Sequence, residues 1–70
     1  MNMQTILYHR LYGIISFTLN QLEPDRIEEL FDIFKELDSH DQDDIEELAL
    51  YHGSPLYSRI RQYRAEMGQL

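Results

Sequence analysis

Apolar residues recur along this chain at the three- and four-residue steps of an α-helix. The longest such pattern predicts a helix over residues 3–22, with an apolar stripe broad enough to contact more than one neighbouring element. Shorter patterns of the same period predict helices over residues 25–38, 42–52 and 55–67. We therefore expect an all-α protein of three or four short helices, in one domain that covers residues 1–70. The stripe of the first helix consists of Tyr8, Tyr12, Ile15, Leu19 and Leu22, widened by Leu7, Leu11 and Ile14.

Proline and acidic residues predict where the second helix begins. Pro24 would disrupt the interior of a helix but is well tolerated in a first turn, so it predicts a break or sharp kink near Glu23. Asp25 and Glu28 have the spacing of a capping pair, in which Asp25 is the N-cap residue. The residues of this helix that we expect to face a core are Ile27, Leu30, Phe31, Phe34 and Leu37.

Two polar turns separate the remaining helices. In the first turn we expect Ser39 or Asp41 to cap the third helix, with Gln42 or Asp44 reaching back from its third position. In the second turn, Gly53-Ser54-Pro55 has the order of a C-cap glycine, an N-cap serine and a first-turn proline. This order leaves open whether the chain forms two separate helices there or one kinked helix.

Composition limits the size of the core and indicates the compartment. The chain has 70 residues, of which 43% are apolar, and a net charge of −7. It is therefore too apolar to be disordered, and it is close to the lower size limit of a self-sufficient domain. Such a chain needs very good helix packing or oligomerisation, and we expect a homodimer that completes a bundle. Because Arg10 and Asn20 shorten the apolar run and no leader pattern is present, we expect a cytoplasmic protein without membrane contact.

Residues that carry catalysis or bind metals are sparse. Cysteine is absent, which excludes disulfides and thiolate zinc sites, and the three histidines lack metal-site spacing. The alternating polar residues from Asp38 onward fail as a calcium loop, because Asp43 stands where glycine is required and Ala49 where glutamate is required. There is also no nucleophile motif, phosphate-binding loop or carboxylate dyad. We therefore expect no enzymatic activity, no metal and no cofactor.

Charge is distributed unevenly along the chain. Residues 23–47 hold twelve of the thirteen acids against Arg26 and Lys35, a net charge of −10. Residues 55–70 hold three arginines against Glu66, a net charge of +2. The simpler interpretation is a solvated acidic face and a last helix with a basic end. The alternative is two surfaces of opposite sign, one of which binds a partner.

A stretch of 22 residues, 36–57, joins the end of one apolar helix, a polar turn and the next helix. Its distinguishing positions are Glu36-Leu37-Asp38, Gln42, Asp44-Ile45, Glu47, His52 and Leu56-Tyr57. These positions resemble, without a gap, the turn and second helix of the Rop (Rom) family. Members of that family are helical hairpins that pair into an antiparallel four-helix bundle, bind a kissing pair of RNA loops and regulate plasmid copy number. The resemblance implies a small non-catalytic regulator that binds structured RNA.

The resemblance also implies a core and an RNA-binding face. The core positions are Leu37, Ile45, Leu56 and Ile60, and Ser39 lies in the turn. The positions of the RNA-binding face are Thr18, Leu22, Arg26 and Ile33. Arg26 alone among these four has a side chain suited to RNA. The chain departs from the family at Pro24 and Pro55, which interrupt helices that are continuous in the family.

Three function classes remain as interpretations of the charge pattern. If the ligand is RNA, we expect its phosphates to contact the densest cationic cluster of the chain and, in addition, Arg26. The residues of that cluster are Arg59, Arg61 and Arg64. A phage- or plasmid-borne inhibitor or adaptor would instead place an acidic face on a basic site of a protein target. The residues of that face are Asp32, Glu36, Asp43 and Glu47.

A DNA-binding helix-turn-helix is the third interpretation. Residues 47–60 resemble the repressor pattern, although one residue is missing after Gly53 and the acidic neighbouring helix disfavours DNA. Tyrosines at five positions either form a stacking surface or lie at the edge of the core with their hydroxyls in water. They are Tyr8, Tyr12, Tyr51, Tyr57 and Tyr63.

Overall fold

Four α-helices make up the part of the chain that the computed structural model describes, residues 3–18 and 22–68. They are α1 (Met3–Thr18), α2 (Pro24–Glu36), α3 (Ser39–His52) and α4 (Leu56–Glu66). No strand occurs within these residues. The predicted all-α fold is therefore confirmed, with four helices.

The helices surround one apolar core. α1 and α4 each contact both α2 and α3, and α2 also contacts α3. The radius of gyration is 11.2 Å, close to the roughly 11 Å of a compact chain of this length. The core residues are Leu11, Ile15, Leu30, Phe31, Phe34, Leu37, Ile45, Leu56 and Ile60. A single chain thus encloses this core. The core includes all four residues that the resemblance implies as core positions.

α1 turns most of its predicted apolar stripe to the core. Leu11 and Ile15 are fully buried, and Leu7, Tyr8 and Ile14 are partly buried against the core. Tyr12 departs from the prediction, since it is 44% exposed. The helical periodicity therefore selects the buried face of α1, apart from Tyr12 at its edge. Leu22, the predicted last residue of this helix, lies outside it, and residues 19–21, including Leu19 of the predicted stripe, are outside the described part.

The prediction that Asp25 caps α2 is wrong. Glu23 occupies the N-cap position with an extended backbone, and its carbonyl accepts the first helical hydrogen bond, from the N–H of Ile27 at 3.0 Å. Pro24 is the first helical residue. Because proline has no N–H that requires a partner, the helix can begin before Asp25. Asp25 then lies in the first turn, where a carboxylate interacts favourably with the helix dipole.

The cap of α3 also differs from the prediction. Asp38, and neither Ser39 nor Asp41, is the N-cap residue, and its carboxylate accepts a hydrogen bond from the backbone N–H of Asp41 at 2.9 Å. A carboxylate in this position satisfies an N–H that has no partner within the helix. The cap moves the start of α3 to Ser39, three residues before the predicted start at residue 42.

Gln42 has a different role from the predicted capping one. Its side-chain amide donates hydrogen bonds to the backbone carbonyls of Phe34, at 3.1 Å, and Leu37, at 3.2 Å. Carbonyls at the end of a helix lack partners within that helix. Gln42 therefore ties the end of α2 to the first turn of α3.

The turn at residues 53–55 separates two helices. Gly53 ends α3 in a left-handed conformation, with φ of 65°, as predicted for a C-cap glycine. The Ser54 hydroxyl accepts a hydrogen bond from the N–H of Leu56 at 3.2 Å, and Pro55 directly precedes α4. The question that the sequence left open is thus resolved, since the chain breaks here and does not merely kink.

Candidate functional site

The three arginines of α4 do not form one exposed cationic cluster. Arg59 points to α2, where its Nε donates to Glu28 Oε2 at 2.9 Å. Its guanidinium also lies 4.0 Å from the centre of the Phe31 ring. A guanidinium that is ion-paired and stacked on a ring mainly stabilises the packing of α4 on α2.

Arg64 points to α3 instead. Its Nη2 lies 2.9 Å from Asp43 Oδ1 and its Nη1 lies 3.5 Å from Glu46 Oε1. The Arg64 side chain is only 13% exposed. Arg64 Nε and Glu46 Oε1 are buried without a hydrogen-bond partner among the described residues. This guanidinium is therefore part of the α3–α4 packing and presents little charge to a ligand.

Arg61 and Arg26 are the predicted RNA-binding residues that remain accessible. Arg61 is exposed, its guanidinium lies 6.0 Å from the Tyr57 ring centre, and it makes no ion pair within the described residues. Arg26 pairs with Glu29 at 2.9 Å, and both side chains are at least half exposed, so solvent weakens this pair.

The other implied positions of the RNA-binding face are less accessible. Leu22 and Ile33 are partly buried against the core, so neither offers a polar group to RNA. The side chain of Thr18 lies outside the described part of the structure.

The four acids assigned to a protein-binding face remain largely on the surface. Glu36 and Glu47 are exposed and have no ion pair within the described residues. Asp32 pairs with Lys35 at 3.3 Å, a contact between exposed side chains. Asp43 is exposed but bound to Arg64. Three of the four carboxylates are therefore available to a partner without disruption of a buried internal ion pair.

A groove between α1 and α3, here called the tyrosine groove, brings together residues that the sequence pattern does not connect. Its volume is about 370 Å³. Its walls are Tyr8, Tyr12, Asp44, Glu47, Leu48 and Tyr51. The four residues of α3 have the i, i+3, i+4, i+7 spacing of one helix face, and the two tyrosines of α1 are four apart. That spacing is visible in the sequence, but the packing of α1 on α3 is not.

The electrostatics of the tyrosine groove are anionic. The rings of Tyr8 and Tyr12 lie 6.0 Å apart between centroids. Burial raises the pKa of the Tyr8 hydroxyl, and the negative charges of Asp44 and Asp41 raise it further. Since a tyrosine next to carboxylates loses its proton less readily, Tyr8 stays neutral and keeps a donor for hydrogen bonds.

The remaining tyrosines have other surroundings. Tyr63 packs its ring edge-on against Phe31 and Phe34, with centroid distances of 5.2 and 6.4 Å. It therefore lies at the edge of the core, as one of the two sequence interpretations expects. Tyr57, half-buried, lies beside Arg61.

A second groove lies between the starts of α2 and α4. It has a volume of about 300 Å³, and its residues include Pro24, Pro55, Glu28 and Arg59. Glu28 and Arg59 neutralise each other within it, so it carries no free charge to select a ligand.

The outer face of α1 is apolar and accessible. Met3, Ile6 and Phe17 are exposed, Phe17 to 87%. Together with Arg10 and Gly13 they recur at steps of three and four, so they lie along one face of the helix. This face, here called the outer face of α1, contains no carboxylate.

No helix within the described residues is long and apolar enough to cross a membrane. Comparison of the chain with protein-family models, with curated proteins and with solved structures finds no match.

Proposed function

We propose that this protein is a non-catalytic regulator that places its acidic face on a basic surface of a protein target, as an inhibitor or adaptor does. The observation that carries the proposal is which charged side chains are paired within the fold and which are exposed. Arg59 and Arg64 are bound to carboxylates of α2 and α3, whereas Glu36 and Glu47 are exposed without an internal cation among the described residues. The charge that the surface offers to a partner is predominantly negative.

The acidic face would act mainly on the rate of association. With a net charge of −7, the chain attracts a cationic surface over a distance of about 10 Å at moderate salt. Such steering raises the association rate and disfavours anionic partners, including nucleic acids. Apolar and aromatic contacts would then supply most of the lifetime of the complex.

Binding of structured RNA, implied by the Rop-like resemblance, is the second candidate. The observation that favours it is Arg61, which is exposed beside Tyr57. An arginine next to an aromatic ring can bind a phosphate while the ring stacks on an unpaired base. Arg26 would add a second phosphate contact.

We also propose that the protein acts as a homodimer. The apolar outer face of α1 supports this proposal, because Phe17 and Ile6 are exposed there. The absence of carboxylates from α1 supports it further. Two copies of an acidic chain repel each other least where neither presents acids.

Charge-reversed variants separate the two candidates. The protein would be used to capture partners from a cell lysate, and each captured protein or RNA would then be tested with purified components. The acidic variant is Asp32→Lys, Glu36→Lys and Glu47→Lys. Asp43 is left intact because its replacement would break the contact with Arg64. The basic variant is Arg26→Glu and Arg61→Glu, which spares the internal pairs of Arg59 and Arg64.

The protein-binding proposal expects the acidic variant to associate at least about tenfold more slowly, with a smaller effect on dissociation. The basic variant should associate no more slowly than the wild type, because it makes the chain more negative. Glu66→Lys on α4 changes one acid outside the acidic face, and it measures how much of the effect comes from net charge alone. If the ligand is RNA, the basic variant should bind more weakly and the acidic variant should not. The slope of log affinity against log salt concentration should then fall by about one for each phosphate that the basic variant no longer binds. A partner whose affinity is unchanged by the acidic variant would refute the proposal.

A further inference from the structure

We infer that the tyrosine groove binds a single arginine side chain of the partner polypeptide. The inference rests on the proposed function, in which a basic surface meets the acidic face, and it names the residue type and the position of the contact. Glu47 belongs both to that face and to the groove.

The aromatic walls favour a cation. Tyr8 and Tyr12 of α1 lie side by side with 6.0 Å between ring centroids, and Tyr51 of α3 is 84% exposed. The faces of tyrosine rings attract an ammonium or guanidinium group through their quadrupole. A side chain that enters between α1 and α3 would therefore meet rings on both sides.

Within the described residues, the carboxylates of the groove have no ion pair with a lysine or arginine. On α3, Asp43 and Glu46 face α4 and bind Arg64. Asp44 and Glu47 face the groove, and no lysine or arginine is among its lining residues. Asp44 lies 3.9 Å from Nε2 of His40, a side chain that is 84% exposed. Two carboxylates beside three aromatic rings can therefore bind a cation from another molecule.

Shape favours arginine within this class of ligand. At about 370 Å³, the groove has room for one long side chain. The guanidinium is planar, so it can stack on a tyrosine ring and donate paired hydrogen bonds to a carboxylate at the same time. Lysine offers a point charge without the stacking plane.

Nuclear magnetic resonance titration with short peptides tests the inference. The probe is the acetylated and amidated pentapeptide Gly-Gly-Arg-Gly-Gly, and the controls replace its arginine with citrulline, which has the same shape without the charge, or with lysine. We expect the arginine peptide to shift the amide signals of α1 and α3 around Tyr12, Asp44 and Tyr51. The lysine peptide should bind more weakly, and citrulline should cause no saturable shift.

Two variants locate the site. Glu47→Gln and Tyr51→Ala change exposed side chains, so the fold should persist, which the unshifted signals of α4 would verify. Each should weaken the arginine peptide about two- to fivefold. Glu66→Gln is the matched control, since it removes the same charge outside the groove and should leave the affinity unchanged.

Several outcomes would overturn the inference. They are equal shifts by the citrulline peptide, equal affinity for lysine and arginine, and equal weakening by Glu66→Gln and Glu47→Gln. The peptide titration does not depend on any captured partner. Asp32 and Glu36 lie outside the groove, so the double variant Asp32→Lys with Glu36→Lys tests the acidic face by itself. Arginine binding in the groove together with a partner that ignores this double variant would refute the proposed function alone. A partner that needs these two acids, while no peptide enters the groove, would refute the groove alone.

Discussion

Gly53 and Gly13 show what the sequence can predict about a single residue. The sequence predicts the backbone conformation of Gly53, but it does not predict which atoms surround Gly13. Gly53 lies between a helix and a Ser-Pro pair, which is the sequence signature of a C-cap, and it has φ of 65°. Gly13 has no such signature and lies within α1, where an added Cβ would have no neighbour within 4 Å. Substitution by alanine should therefore have opposite effects at the two positions.

We predict that Gly53→Ala lowers the free energy of unfolding by about 1 kcal/mol. The left-handed conformation costs alanine about 1–2 kcal/mol, offset in part by a less flexible unfolded chain. Gly53→Asn should cost less, because asparagine tolerates this conformation. Gly13→Ala should raise stability by up to about 1 kcal/mol, since alanine favours a helix interior. Urea unfolding of protein dilute enough to be monomeric measures all three, because Gly13 lies on the face proposed for the dimer. A decrease of stability in monomeric Gly13→Ala would contradict the open surroundings of Gly13.

At the scale of the elements, the existence of the helices was predictable, but the N-caps of α2 and α3 were not. Periodicity and Pro24 indicate three or four helices, because a buried stripe must repeat with the helical turn. The caps depend on which of several adjacent acids reaches an N–H, and Asp25, Asp38 and Asp41 are all of a suitable type. In the structure only Asp38 of these three is an N-cap that accepts a side-chain hydrogen bond.

We predict that Asp38→Ala destabilises the protein by about 1 kcal/mol, because the N–H of Asp41 loses its acceptor. Asp25→Ala should cost no more than about 0.5 kcal/mol, since its carboxylate offers only a favourable charge near the start of α2. Addition of salt should reduce the effect at Asp25 more than that at Asp38. Urea unfolding with and without salt provides the comparison. Equal destabilisation of the two variants would contradict the assignment of the caps.

At the scale of the whole molecule, the sequence pattern lacks the information about which helices meet. The i, i+4 spacing of Tyr8 and Tyr12 and the i, i+3, i+4, i+7 spacing from Asp44 to Tyr51 place each set on one face of its helix. Only the contact between α1 and α3 joins them into a groove. The same packing decides that Arg59 and Arg64 bind carboxylates on different neighbours, although their proximity in the sequence suggests one cationic patch.

The outer face of α1 leads to the prediction at this scale. We expect light scattering at micromolar concentration to give a mass of twice the 8.4 kDa of one chain. The variant Ile6→Ser with Phe17→Ser should give the mass of one chain, because exposed apolar area would no longer be buried in a dimer. Its circular dichroism should be unchanged, since neither side chain belongs to the core. Leu50→Ser, at an exposed position on α3, is the control and should remain dimeric.

Salt gives an independent check on the same interface. Each copy carries a net charge of −7, and this charge opposes association wherever the two copies meet. An interface made of apolar side chains has no ion pairs for salt to weaken, so screening removes only the repulsion. The dimer should therefore become tighter as salt increases. Dissociation on addition of salt would indicate an interface of ion pairs between acids of one copy and arginines of the other. A mass of 8.4 kDa at every concentration and salt would contradict the dimer itself.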